Sequence, residues 1–375
     1  MNKKLTILLT IFMASVLSLT GCKKEAKKVE GDAKKLVANV KDGAKTVKTG
    51  IKNVKAGTKV AVNNVANKIA GINFAAKLDL NAFPEEAVMI GSIDVQKFLK
   101  IEMLKPLFTN AMKEAKEKGI DLEKATFASW YMNAEDLNAE KPELAGIVNN
   151  FIIPESLLIA EKIKVNKESY NGVEILLDDK KEGGYVTLGT DTLGGSLVAL
   201  KKMIDVKKGK LKSLAKSPSG ALLSDILSKT GDSALRVAVI TNKSLSEQLK
   251  KAAKEGQGAM IAEFLNNFKA ASFGIGTTKD AFTFTINFRS NKAGIDTVTA
   301  LIKPYVGMIQ QDNAPMLQMA EPMLGKEGVK MLSAVAKTVK VNNNGEYLSI
   351  TFETKYEYWL KAPEILGGLM GSMQK

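Results

Sequence analysis

The side chains that most often do chemistry in proteins are nearly absent from this sequence. Among 375 residues there is no histidine and only one cysteine, Cys22. Without imidazole the chain has no Ser-His-Asp or Cys-His arrangement, no HExxH zinc helix and no histidine-ligated metal. Acid–base catalysis would have to use carboxylates, lysine or tyrosine. The composition therefore narrows hydrolase chemistry without excluding it.

Three groups of acidic residues are the candidates for a catalytic pair or a cation site. They are Glu85 with Glu86, Glu353 with Glu357, and Asp178 with Asp179 and Asp191. Catalysis needs two carboxylates that face each other across a cleft, and nothing in the sequence brings either glutamate pair together. Calcium loops alternate their carboxylates around a glycine turn, and the aspartates lack that spacing. We predict that all three groups lie at the surface. We also predict that the chain is not an enzyme and that it binds neither a metal nor a cofactor.

The first 22 residues have the composition of an export signal. Lys3 and Lys4 form a positive segment. The apolar run from Leu5 to Leu17 is too short to span a bilayer, which takes roughly 20 residues. The signal ends in Leu19-Thr20-Gly21-Cys22. This motif resembles the bacterial lipobox, in which an aliphatic residue and two small residues precede a cysteine.

The resemblance to bacterial lipoproteins implies cleavage after Gly21, transfer of diacylglycerol to the thiol of Cys22 and often acylation of the new amine. Membrane lipid would then be a partner of the chain through Cys22. Because the thioether would use the sole thiol, the mature chain would have no disulfide and no nucleophilic cysteine. The resemblance also implies anchoring in the cell membrane or outer membrane, with the domain outside the cytoplasm. Lys23 resembles the residue that follows the cysteine in lipoproteins sent to the outer membrane.

Positive charge is concentrated between the signal and the predicted domain. The chain has a net charge of +14, of which +9 lies in residues 23–72 and +2 in the signal, so the other 303 residues carry only +3. Nucleic-acid-binding proteins normally use arginine for bidentate contacts, and this chain has only Arg236 and Arg289. We therefore expect no binding to nucleic acid.

Residues 22–78, the stalk, contain a seven-residue repeat whose apolar or small residues alternate steps of three and four, which predicts an amphipathic helix. Lysines beside and across from the apolar stripe are predicted to contact anionic lipid or an envelope polymer. They are Lys41, Lys45, Lys48, Lys52, Lys55 and Lys59. Gly43, Gly50 and Gly57 each disfavour the helix by about 1 kcal/mol. We expect a marginal helix with at most weak self-association through the heptads; a solvated, partly disordered spacer is the alternative.

The rest of the chain is predicted to form an α+β domain over residues 79–362, followed by a Met- and Gly-rich C-terminal tail, 363–375. Alternating and β-branched segments predict mixed, largely antiparallel sheets with packed helices. The segments that begin at Ala87 and Ala234 both read as a strand followed by a helix. This repetition suggests two related halves, 80–208 and 230–360.

Some elements of this domain are predicted with definite bounds. A helix of about 20 residues begins at Gln96, and a second helix runs from Ser244 to Phe268. Lys141–Phe151 is predicted to be a short helix and Ser156–Lys164 a strand. Asn344-Gly345 is predicted to form a type I′ turn in the last hairpin.

The sequence favours a non-catalytic structural or binding domain on a lipid-anchored stalk. One alternative is a periplasmic or surface carrier of a hydrophobic ligand such as lipid. Met316, Met319 and Met323 share one helical face, and methionine makes adaptable apolar surfaces. Such a carrier needs a continuous apolar pocket of roughly 300–1,000 Å³. A carboxylate-dependent hydrolase of envelope glycans is the less favoured alternative.

Overall fold

The computed structural model describes residues 78–101, 105–117, 119–133, 143–154, 166–254, 261–311, 314 and 321–359. The signal peptide, Cys22 and the stalk with its lysines lie outside the described residues. So do the strand predicted at Ser156–Lys164, the C-terminal tail, Met316 and Met319.

The described strands form one twelve-stranded sheet. They are β1 Ala87–Asp94, β2 Phe127–Asn133, β3 Leu144–Val148, β4 Asn166–Tyr170, β5 Val173–Leu177, β6 Gly183–Leu188, β7 Asp191–Ser196, β8 Ser233–Ile240, β9 Ala270–Thr277, β10 Ala281–Arg289, β11 Lys340–Asn344 and β12 Tyr347–Lys355. Their order is β11-β12-β10-β9-β8-β1-β2-β3-β7-β6-β5-β4, and every pair is antiparallel. The α+β class is confirmed, with antiparallel pairing throughout the described strands in place of the mixed sheets expected.

Eight α-helices and two short 3-10 turns accompany the sheet in the described ranges. The helices are α1 Val95–Leu99, α2 Lys105–Glu117, α3 Leu197–Lys207, α4 Pro218–Ser228, α5 Lys243–Ala252, α6 Ala262–Asn266, α7 Lys292–Ile309 and α8 Glu321–Ala336. The 3-10 turns are Leu80–Ala82 and Leu214–Lys216. None of the helices in this part of the chain combines the length and apolar character that crossing a bilayer requires.

The two central strands, β1 and β8, pair with each other and are buried on both faces. Continuous apolar sequence suits such a position, because neither face meets water. Outward from β1 the strand order is β2, β3, β7, β6, β5, β4, and outward from β8 it is β9, β10, β12, β11. The sheet is continuous across this centre, and the relatedness of two halves stays a prediction.

One face of the sheet carries the largest cluster of buried side chains. Ile90, Tyr131 and Leu193 of the sheet belong to this cluster with side chains of α3 and α4. The helical members are Ala199, Leu200, Met203, Ile204, Leu223, Ile226 and Leu227. Two smaller clusters form around Trp130, and around Phe264 with Ile295 of α7. Packing of α3 and α4 against the sheet therefore supplies much of the apolar burial that stabilises the fold.

Three of the predicted helices were wrong in kind or extent. Leu144–Val148, predicted within a helix, is β3, where Ala145 and Ile147 alternate with more exposed neighbours. The helix predicted from Gln96 is instead the short α1, which ends at Leu99, followed by the separate α2. Likewise α5 and α6 replace one long helix, since α5 ends at Ala252. Each of these three segments has apolar residues at helical spacing. That local pattern does not show where tertiary packing against the sheet ends a helix.

The type I′ turn occurs at a different hairpin from the one predicted. Asn171 and Gly172, with φ of 51° and 72°, join β4 to β5. Positive φ at both central residues is the requirement of a type I′ turn. In the last hairpin Asn344 pairs with Tyr347, so Gly345 and Glu346 form the loop. Of these two only Gly345 has a positive φ, 63°, which excludes type I′ there.

Candidate functional site

The three aspartates proposed as a cation site do not converge. Asp178 lies in the turn before β6, where its Oδ1 accepts a hydrogen bond from the backbone N–H of Glu182 at 3.0 Å. Asp191 lies beyond the far end of β6 and accepts from Asn149 and Asn150, each at 3.1 Å. Six residues of strand separate the two sites, or about 17 Å at the usual rise. Across the described ranges, no group of three or more acidic residues is placed to hold a metal ion.

One of the predicted glutamate pairs is divided between two different environments. Glu86 and Glu143 both bind Lys202 of α3, with Nζ–Oε distances of 3.1 and 2.7 Å. Burial alone would lower the pKa of Lys202, but hydrogen bonds to Glu143 and Glu86 outweigh it and raise that pKa. Glu85 is exposed and takes no part in this cluster. The structure thus brings Glu86 and Glu143 together through the shared ammonium of Lys202.

The other glutamate pair lies at the surface. Glu353 is exposed on β12. Glu357 is also exposed and lies 3.8 Å from the ammonium of Lys355. An ion pair in this setting contributes little stability, and the positions offer no enclosed site for acid–base chemistry.

A polar cluster that the sequence did not reveal joins α4 to the edge of the β10–β12 region. Arg289 donates to Asp225 at 3.0 Å and to Glu346 at 3.1 Å. Lys269 binds the other oxygen of Glu346 at 3.1 Å. The hydroxyl of Tyr347 donates to Asp225. We call these five residues the Tyr347 cluster; it holds a helix and three strand ends in one arrangement.

Tyr347 is the residue of this cluster whose titration is most strongly altered. Burial, then the hydrogen bond to Asp225, raises the pKa of Tyr347 to about 12. The guanidinium carbon of Arg289 and the ammonium of Lys229 lie 5.2 and 4.8 Å from the centre of its ring. The hydrogen bond to Asp225 fits a phenol held neutral as a donor, while the charge of Arg289 opposes this by lowering the pKa of Tyr347. Cations over the ring face are also attracted by its π electrons.

Tyr347→Phe should therefore change how stability depends on pH. The folded-state pKa lies above the unfolded value of 10.0. The neutral phenol consequently contributes stability below pH 10 that is lost as the pH rises towards about 12. We expect Tyr347→Phe to lower the free energy of unfolding by about 1 kcal/mol at neutral pH. Between pH 10 and about 12, the variant should then lose less stability than the wild type. Urea unfolding on both sides of the window measures this difference. The exposed Tyr305→Phe should follow the wild-type profile, and identical profiles for Tyr347→Phe and wild type would contradict the assignment.

A related contact holds the opposite edge of the sheet. The hydroxyl of Tyr170, at the end of β4, donates to Oδ2 of Asp205 in α3 at 2.8 Å. Asn171 donates to the other oxygen of Asp205 at 2.5 Å, and Lys210 donates to Asn171 at 2.6 Å. The hydrogen bond to Asp205 is the main cause that raises the pKa of Tyr170. A tyrosine on the edge strand β4 and a tyrosine on β12, the neighbour of the other edge strand, therefore each donate to an aspartate of a covering helix.

The buried Arg236 lies near the centre of the sheet, only 6% exposed. Its Nε donates to the carbonyl of Ser233 at 3.1 Å. Burial lowers the pKa of Arg236, while the nearby charges of Asp232 and Asp94 oppose the shift. Asp94 also caps α1 by accepting from the N–H of Lys97 at 3.0 Å. Arg289 thus connects separate structural elements, whereas the hydrogen bond from Arg236 to Ser233 lies within β8.

Two open clefts are formed by described residues. The first, about 350 Å³, lies beside α2 and is lined by apolar residues such as Met112, Ile120 and Leu122 together with Lys113, Lys116 and Glu123. The second, about 550 Å³, lies where α3 ends. It is lined by Asp79, Asn81, Val206, Lys207, Gly209, Lys210, Leu211, Lys212, Ser213 and Lys216. Neither cleft has the continuous apolar lining expected of a lipid carrier.

The lysines of the second cleft were missed at the level of the sequence. Residues 206–224 contain five lysines and no acidic residue. The net charge of residues 73–375 is only +3, because acidic residues elsewhere in this range offset the local excess. A sliding sum of charge along the chain would have found it.

No family model matches this sequence, and no curated protein matches it either. The chain is similar to solved crystal structures of TP0453. For crystal form III the TM-score is 0.41 at 12% identity, covering 76% of this chain and 98% of that one. For crystal form I the TM-score is 0.39 at 9% identity, covering 77% of this chain and 96% of that one. For crystal form IV the TM-score is 0.38 at 10% identity, covering 76% of this chain and 95% of that one. TM-scores and identities this low transfer no function.

Proposed function

We propose that the protein is a lipid-anchored protein of the bacterial cell envelope with a non-catalytic structural or binding domain. The observation that carries this proposal is the lipobox-like Leu19-Thr20-Gly21-Cys22 behind an apolar export signal. Acylation at Cys22 would hold the chain on the cell membrane or outer membrane and leave residues 79–362 outside the cytoplasm.

The polar clusters of the domain support the non-catalytic part of the proposal. The carboxylates of Asp205, Asp225 and Glu346 all engage tyrosine, lysine or arginine partners from other elements. A catalytic acid–base pair needs carboxylates that face substrate. In these clusters the same groups instead connect helices α3 and α4 to strand ends, a role in stability.

The mass of the mature N-terminal peptide tests the anchor. We expect the native protein to begin at Cys22 and to carry the added mass of a diacylglyceryl group on that residue. An unmodified peptide that still includes residues 1–21 would overturn the proposal. The same measurement reports whether the new amine is acylated.

A second candidate function, binding of a hydrophobic ligand, is favoured by one feature of the sheet. Phe284 of β10 stacks on Phe352 of β12, with ring centres 4.9 Å apart and planes inclined by 8°. Trp359 also stacks on Phe284 at 6.1 Å and is 47% exposed. Aromatic side chains supply large apolar contact areas. These three form an aromatic platform in which Trp359 is exposed, Phe352 is partly buried and Phe284 is buried.

Quenching of tryptophan fluorescence tests this second candidate. The chain has two tryptophans: Trp359, and the buried Trp130, which is 6% exposed. A brominated fatty acid that binds the platform should quench the wild type and leave Trp359→Phe largely unquenched, because bromine quenches on contact. Equal quenching of both proteins, or of neither, would argue against a ligand site at the platform.

A further inference from the structure

Five lysines at the last residue of α3 and in the segment that follows it lie within ten residues and form a basic surface. They are Lys207, Lys208, Lys210, Lys212 and Lys216, and all five are exposed. We call this segment the lysine loop. Its positive charges are not balanced by ion pairs among the described residues, whereas Lys201 and Lys202 in the preceding helix both bind glutamates.

Hydrogen bonds hold the backbone of the lysine loop in a defined position. Gly209 adopts a φ of 71° just beyond the helix, a conformation that glycine permits without steric strain. The N–H groups of Lys210 and Leu211 both donate to the carbonyl of Asp205, at 2.8 and 3.3 Å. The N–H of Leu214 donates to the carbonyl of Phe83 at 2.7 Å. The lysines are therefore presented by an ordered turn.

The lysine loop lies beside the point where the stalk joins the domain. Asp79 and Asn81, at the start of the described chain, line the same cleft of about 550 Å³ as four of the lysines. The N–H of Glu85 donates to the carbonyl of Lys212 at 3.2 Å, so the two segments run side by side. In the sequence, residues 23–72, which carry a net charge of +9, shortly precede Asp79.

We propose that the lysine loop is a second contact with the membrane. Its lysines bind anionic lipid headgroups, and this contact orients the domain. The inference rests on the proposed lipid anchor. A lysine close to an anionic surface strengthens binding about fivefold, and the effect reaches about 8 Å at physiological salt. Leu211, between two lysines and 41% exposed, supplies an apolar side chain suited to the interface. A soluble polyanion would use the lysines alone, so the exposed leucine favours a lipid surface.

A fluorescent label at position 211 tests the contact in the full mature protein. Because acylation would occupy Cys22, Leu211→Cys would carry the only free thiol, and it can be labelled with a nitrobenzoxadiazole dye. Tyr305→Cys, at a site that is 57% exposed on α7, is the matched control. Both proteins are reconstituted with phosphatidylcholine vesicles, with and without phosphatidylglycerol. We expect a blue shift of emission only for the label at 211 and only with phosphatidylglycerol.

Two sets of lysine substitutions in the Leu211→Cys protein distinguish the effect of the lysine loop from the effect of the protein's total charge. Replacing Lys207, Lys208, Lys210 and Lys212 by glutamine should remove the shift. Replacing four exposed lysines elsewhere should retain it. These controls are Lys303, Lys326, Lys330 and Lys340. A thermal melt of each variant verifies that it is folded.

The outcomes distinguish the anchor from the lysine loop. If the wild type accepts the dye, or fails to float with phosphatidylcholine vesicles, the proposed anchor fails. If it floats but the label at 211 shows no shift, or shifts equally without phosphatidylglycerol, the loop contact is overturned. A shift produced by soluble polyphosphate and not by anionic vesicles would also overturn it, in favour of a soluble polyanion.

Discussion

Cys22→Ser should release the protein from the membrane. The thiol is the proposed attachment point for diacylglycerol, and a serine hydroxyl does not replace it in the lipobox. Each buried methylene of an acyl chain contributes about 0.8 kcal/mol, and stable anchoring takes two such signals, which the two chains of a diacylglycerol provide. Without them only electrostatic contacts of the stalk and the lysine loop would remain, and salt screens these.

Membrane fractionation followed by a high-salt wash measures this effect. The wild type should stay with the membrane after the wash, and Cys22→Ser should appear in the soluble or salt-released fraction. Gly21→Ala is a suitable control because it keeps a small residue before the cysteine, so it should be retained like the wild type. Retention of Cys22→Ser through the wash would show that another part of the chain holds the protein on the membrane.

Gly220→Ala should destabilise the domain strongly, although it adds only one methyl group. Gly220 is buried in the first turn of α4, and a Cβ there would lie 1.8 Å from the carbonyl oxygen of Leu214 and 2.7 Å from its carbonyl carbon. Leu214 is fully buried, and its N–H donates to Phe83. The backbone cannot move away without disturbing these contacts. We expect a loss of about 3 kcal/mol in the free energy of unfolding, the upper end of the usual range for overpacking.

Gly307→Ala provides the opposite result with the same chemical change. Gly307 lies in α7, and a Cβ there would meet no atom within 4 Å. Alanine is favoured over glycine in a helix by up to about 1 kcal/mol, so this variant should be as stable as the wild type or more so. Chemical denaturation of the three proteins gives the comparison. If Gly220→Ala is as stable as Gly307→Ala, the close approach of α4 to the 3-10 turn is wrong.

Elements whose sequence pattern matches their final environment were predicted well. Phe282, Phe284, Ile286 and Phe288 alternate with polar residues, and they form one face of β10. The apolar segment from Ala234 was predicted to be a strand and is the buried central strand β8. For β8 the local hydrophobic pattern and the tertiary burial agree. For β10 the strand was predicted, but its polar side is buried too, because Thr285 is 8% and Asn287 only 1% exposed.

Other strands escaped prediction because their sequences are polar, contain glycines or are too short to show a period. β4, Asn166–Tyr170, is mostly polar and lies at the sheet edge, where only pairing with β5 makes it a strand. β7 includes Gly194 and Gly195, and its partners are the glycine-containing β3 and β6. β3 has five residues, too few to separate period two from helical spacing. Pairing between distant segments, rather than local preference, decided all three.

The sequence by itself determined the features that depend on residue type and short spacing: the lipobox-like motif, the basic stalk, the exclusion of imidazole chemistry and the α+β class. Tertiary structure alone decided which charges meet. Asp225 and Tyr347 are 122 positions apart, and Lys202 and Glu86 are also distant in sequence. Helices α3 and α4 bring these residues together as they cover the sheet. Chain folding sets such distances, and no local pattern encodes them, because a charge in the sequence is the same whether its partner lies beside it or across the domain.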